Sequence, residues 1–94
     1  MTVPLAGKRA LVIEDEGMLR LQLADILEEM GCIVAGTAAN LAAAETLAAT
    51  AVADFALLDL NLNGQVSYGV AEILRRRGIP FLFSTGYRSD AVAE

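Results

Sequence analysis

The stretch Phe55-Ala56-Leu57-Leu58-Asp59-Leu60-Asn61-Leu62-Asn63-Gly64 decides the fold. An apolar run breaks on a single acid, and turn-forming Asn and Gly follow it. Two other runs end in a similar way. Ala10-Leu11-Val12-Ile13 meets Glu14-Asp15, and Pro80-Phe81-Leu82-Phe83 meets Ser84-Thr85. Short, nearly continuous apolar runs are what strands buried on both faces of a parallel sheet require. As parallel neighbours, the three runs would bring their ends together at one carboxyl edge. That gathers carboxylates and a hydroxyl in one crevice. Such acids cannot all stay ionised without a partner cation. The pattern reads as a metal site beside a carboxylate nucleophile.

Working outward, strands are expected over 9–14, 32–37, 54–60 and 79–84, with Pro80 tolerated at the start of the last. A helix is expected over 16–30, where Leu19, Leu23, Ile26, Leu27 and Met30 share one face. Asn40 can cap an alanine-rich helix over 41–50. A third helix is expected over 67–77, with Val70, Ala71, Ile73 and Leu74 as its apolar stripe. Gly31 and Gly78 are expected to stop the first and third helices. Residues 61–64 read as a loop, and a fourth helix is expected to begin near Ser89. Alternation of strands and helices predicts an α/β, flavodoxin-like, doubly wound parallel sheet with right-handed crossovers. The expected strand order is 2-1-3-4. In that arrangement ligands bind outside the carboxyl ends of the first and third strands, where Glu14-Asp15 and Asp59 stand.

The 94 residues suit one small domain. A net charge of −5 disfavours nucleic acid and anionic membrane as partners of this domain. There is no histidine, which excludes a His-based triad, a His-ligated zinc and a phosphohistidine on the chain itself. Cys32, the single cysteine, is expected to be a small buried hydrophobe, and the cytoplasm is the expected compartment. Hard-cation binding by oxygen is the metal chemistry these residues support. Arg75, Arg76 and Arg77 close a helix, where cations complement the dipole.

The chain resembles the receiver domain of bacterial two-component response regulators. Leu11-Val12-Ile13-Glu14-Asp15-Glu16, Leu57-Leu58-Asp59-Leu60-Asn61-Leu62-Asn63-Gly64 and Ile79-Pro80-Phe81-Leu82-Phe83-Ser84-Thr85-Gly86 carry the resemblance. The Phe83-Ser84-Thr85-Gly86-Tyr87 ending is similar to that of small stand-alone alphaproteobacterial receivers. The resemblance implies that Asp59 is the phosphoacceptor, attacking the phosphohistidine of a sensor histidine kinase or phosphotransfer protein. It implies Mg²⁺ held by Glu14, Asp15, Asp59 and the backbone carbonyl of Asn61. It also implies Thr85 as the switch hydroxyl and Gly86 as the small residue that leaves the phosphate approachable. A signalling module, not an enzyme, is expected.

Two departures stand out. Asn63 occupies the family's usual proline, which is expected to loosen the loop without touching the chemistry. Lys8 is the only lysine and precedes the first strand. No lysine therefore matches the family's phosphate-binding position, and no fifth strand or helix follows. The chain is expected to be a single receiver domain over 1–94, incomplete at its C-terminal end. Its fourth strand would then be an exposed edge through which two copies associate. Other readings are a receiver-like interaction domain that takes no phosphate, or a haloacid-dehalogenase-type phosphohydrolase. The latter lacks a general acid, because Asn61 stands where a second Asp is needed. A flavodoxin-like nucleotide binder ranks last, since Glu14-Asp15-Glu16 repels phosphate.

Overall fold

A computed structural model of the chain describes residues 5–84. Thr85, Gly86 and the helix expected near Ser89 lie outside the described residues. The elements are β1 (Arg9–Ile13), α1 (Gly17–Glu29), β2 (Ile33–Ala38), α2 (Leu41–Thr50), β3 (Phe55–Asp59), β4 (Asn61–Leu62), β5 (Gln65–Val66), α3 (Tyr68–Arg76) and β6 (Phe81–Ser84).

The main sheet has the order β2-β1-β3-β6, all parallel. This is the expected 2-1-3-4 order and the expected doubly wound α/β fold. Successive side chains of each strand point to opposite faces. Leu11, Ile13, Ala56 and Leu58 face α2 and α3, where Ala44, Ala48, Val70 and Leu74 bury against them. Ala10 and Val12 face α1 and pack with Leu27 and Cys32. Cys32 is buried, as expected, with its thiol on the Leu5 carbonyl at 3.4 Å. The alanines of α2 let that helix sit close to the sheet.

The helix boundaries follow their end residues. Glu16 caps α1, accepting from the Leu19 N–H at 2.6 Å, and Asn40 caps α2 through Ala43 at 2.8 Å. Gly31 and Gly78 take positive φ of 91° and 73° just beyond α1 and α3. The next N–H reaches back to a helix carbonyl in each case, Cys32 to Leu27 and Ile79 to Leu74, both at 2.9 Å. The C-terminal arginines are engaged locally. Arg75 and Arg76 pair with Glu72 at 2.6 and 3.1 Å, and Arg77 bonds the Ala48 carbonyl at 2.7 Å.

Two expectations need correction. Ile26 was expected on the buried face of α1 but is 51% exposed. The helix lies chiefly over β1 and β2, so its buried stripe is narrower than its apolar one. Residues 61–64 are not an irregular loop. Asn61–Leu62 and Gln65–Val66 pair antiparallel around Asn63 and Gly64, whose φ values are 55° and 84°. Two successive positive φ angles and the Asn-Gly pair define a type I′ hairpin.

Leu58 is fully buried at the centre of the sheet, one residue before Asp59. Leu58→Ala is expected to destabilise the protein by about 3 kcal/mol in urea unfolding, through lost burial and a cavity.

Candidate functional site

Parallel register builds the site. Ile13 pairs with Leu58 across β1 and β3, so Glu14-Asp15 and Asp59 leave the sheet together. Carboxylate oxygens of Glu14, Asp15 and Asp59 all lie within 4.8 Å of one another. Ser84 pairs with Asp59 across β3 and β6. The three acids read from the sequence are thus one cluster.

Each acid is held differently. Glu14 is only 2% exposed, and its Oε2 accepts the Glu16 N–H at 3.1 Å. Its Oε1 is buried with no hydrogen-bond partner. Asp59 is 7% exposed, and its Oδ1 accepts the Asn61 N–H at 3.1 Å. Asp15, half-buried, accepts the Asn63 N–H on Oδ2 at 2.7 Å.

Two unit charges 4.8 Å apart repel by about 3.5 kcal/mol at an effective dielectric of 20. Among the described residues the only ion pairs are those of Glu72 on α3, so no side-chain cation offsets the cluster. Protonation answers the repulsion instead. Burial, helped by the nearby carboxylates of Asp59 and Asp15, pushes Glu14 up to about 7. Burial and Asp15 also raise Asp59. Burial pushes Asp15 up as well, but the Asn63 N–H, with the adjoining carboxyls of Glu14 and Asp59, outweighs it and leaves Asp15 below its ordinary value. An unpartnered buried oxygen among three convergent carboxylates fits a hard divalent ion. Mg²⁺, which takes few carboxylates and keeps several waters, suits this donor set.

Three residues that sequence reasoning passed over also belong here. Asn63 was expected to touch no chemistry, yet its N–H holds Asp15; a contact between residues 48 apart in the chain has no local signal. Ser67, read as the start of a helix, is fully buried and does not cap α3 with its side chain. Its hydroxyl donates to the Asp59 carbonyl at 2.6 Å, and a second contact reaches the Leu60 carbonyl at 3.1 Å. Arg20, assigned to the polar side of α1, turns its guanidinium onto the Glu14 carbonyl at 2.8 Å.

A doubly wound sheet with an acidic cluster at its switch point defines a class of phosphoryl- and cation-handling domains. Within that class the chain matches the response regulator receiver domain family over residues 10–94, and it belongs to that family. It is 31% identical to the PhyR receiver domain of Erythrobacter litoralis, with a TM-score of 0.73. That match covers 83% of this chain and 62% of the other. SdrG of Sphingomonas melonis Fr1 is 37% identical with a TM-score of 0.75, over 82% of this chain and 66% of that one. PhyR of Brucella abortus is 27% identical with a TM-score of 0.75, over 84% and 33%. The chain therefore spans no more than about two thirds of these relatives. No match is found among curated proteins. The family is that of the phosphoacceptor modules of two-component signalling. No helix among the described residues is long and apolar enough to cross a membrane.

The raised Glu14 makes stability depend on pH. The native state keeps this proton up to about pH 7, whereas the unfolded chain releases it near 4.5. Between those values the native state binds more protons, so this group's contribution falls as pH rises. Urea midpoints in EDTA are expected to drop across that window. Glu14→Gln should flatten the drop, and millimolar Mg²⁺ should raise the midpoint at neutral pH.

Proposed function

We propose that this domain accepts a phosphoryl group on Asp59 from a phosphohistidine, with Mg²⁺ held by Glu14, Asp15, Asp59 and the Asn61 carbonyl. The observation that carries this reading is the convergence of the three carboxylates, with Glu14 Oε1 buried and unpartnered. Asp59 sits at the end of β3 with Oδ1 fixed by the Asn61 N–H. Its other oxygen is the nucleophile: an O–P bond forms, the P–N bond to the donor imidazole breaks, and that nitrogen recovers a proton. When bound, Mg²⁺ supplies positive charge against the transferring phosphoryl oxygens. Glu14 and Asp15 hold their oxygens in place from the end of β1. Ser67 fixes the Asp59 carbonyl, and so the backbone from which the nucleophile projects.

Thr85 is proposed to turn its hydroxyl onto the new phosphate, with Gly86 leaving room beside it. Both follow β6, whose last residue pairs with Asp59. The competing phosphohydrolase needs an acid two residues beyond the nucleophile. Asn61 stands there, and its Oδ1 accepts the Gly64 N–H at 2.8 Å within the hairpin turn. A phosphorylation-independent interaction domain is the second reading, and a phosphate-mimic titration followed by NMR separates the two. Self-association along β6 is also proposed, because Leu82 is 68% exposed and Phe83 is exposed on a strand at the sheet edge among the described residues.

Beryllofluoride with Mg²⁺ is expected to shift amide NMR signals of Asp59, Leu60 and Ser84, and Asp59→Asn should abolish the response. An unchanged spectrum at millimolar Mg²⁺ would support the interaction-domain reading instead. Sedimentation should show concentration-dependent association that Leu82→Lys removes.

A further inference from the structure

The hairpin from Asn61 to Val66 is tied to the acidic cluster at both ends. At its base, the fully buried Ser67 donates its hydroxyl to the Asp59 carbonyl at 2.6 Å, and the Ser67 N–H reaches the Leu60 carbonyl at 2.9 Å. At its tip, the Asn63 N–H reaches Asp15 Oδ2 at 2.7 Å. The turn is braced internally by the Asn61 side chain on the Gly64 N–H. We propose that this hairpin is a positioning strap for the cation site: it fixes Asp15, at the end of β1, relative to Asp59, at the end of β3, before any cation arrives.

The proposal rests on Asp15 being a cation ligand. The geometry explains why the strap would act on Asp15 in particular. Glu14 is buried and oriented by the Glu16 N–H, and Asp59 is buried and oriented by the Asn61 N–H. Asp15 is the more exposed of the three, so it has the most rotamer freedom to lose on binding. Its backbone partner comes from the hairpin tip. With Oδ2 committed there, the other carboxylate oxygen is left for a cation. Partners behind a ligand commonly change metal affinity by tenfold or more.

The residue type at position 63 matters through its backbone. The N–H points at Asp15 because Asn63 adopts φ 55°. A proline there has no N–H and cannot reach that angle. The Asn63 side chain makes only a long contact, 3.4 Å, to the Ala39 carbonyl. Asn63→Gly therefore keeps the strap, and Asn63→Pro removes it. Ser67→Ala frees its base.

Mg²⁺ titrations followed by amide NMR separate these variants, with the β1 signals of Ala10–Ile13 confirming that each is folded. Asn63→Gly is expected to bind within about twofold of wild type. Asn63→Pro should bind about tenfold or more weakly, and Ser67→Ala more weakly by several fold. In metal-free wild type the Asn63 amide should be protected from hydrogen exchange, and Asp15→Ala should remove that protection. An unprotected Asn63 amide overturns the strap. So does wild-type affinity in Asn63→Pro or, if that variant does not fold, in Ser67→Ala. Wild type that takes up no Mg²⁺ overturns the cation reading beneath it, an outcome distinct from equal binding by wild type and variants.

Discussion

The structure depends on one register. Because β1 and β3 are parallel neighbours with Ile13 opposite Leu58, the chain must end two strands on acids at the same height. Everything apolar in the sheet pulls toward that pairing: Leu11, Ile13, Ala56 and Leu58 are all fully buried on one face. A slip by one residue would turn those side chains into the α1 face, where Ala10 and Val12 already fill the space, and undo the packing on both sides. The like-charge repulsion at the strand ends is therefore imposed by the core. With Glu14 holding its proton one charged pair remains, and its repulsion of about 3.5 kcal/mol is smaller than the burial of Leu11, Ile13 and Leu58, at about 1.5–3 kcal/mol each. The cluster persists because the sheet does not yield.

What could be read from the sequence, and what could not, follows from how far apart the deciding contacts lie. The apolar runs placed each main strand to within one or two residues, since strand burial is recorded in consecutive side chains. The Asn40 cap and the Gly31 and Gly78 stops are equally local. The hairpin was missed for a different reason. Asn63-Gly64 is a strong type I′ signal, but the arms are only two residues each, too short to show alternation. Ser67 reads in the sequence as the first residue of a helix, a position that is usually solvated. Its hydroxyl goes to Asp59 and Leu60 instead, which only the return of the chain makes possible.

The same distinction applies to the site. That Glu14, Asp15 and Asp59 converge was legible, because topology alone carries it. How each is held was not. Proline at position 63 would give rigidity through its ring. Here rigidity comes from a closed hairpin, and the exchange supplies an N–H that proline lacks. The departure looked harmless from sequence because the residue it serves lies 48 positions away.

The two oxygens of Glu14 are treated differently. Its Oε2 accepts the Glu16 N–H, and Oε1 is left buried without a partner. Leaving a buried acceptor unsatisfied costs about 1–3 kcal/mol, a cost that would be relieved by a proton or a cation. Burial makes the proton competitive near neutral pH, since Glu14 is pushed up to about 7. A cation binding here therefore competes with a proton at Glu14, while the Asn63 N–H favours the charged form of Asp15. The two acids of the pair, adjacent in sequence, are shifted in opposite directions by their surroundings. Glu14 is controlled by burial, and Asp15 by the amide that the hairpin brings to it.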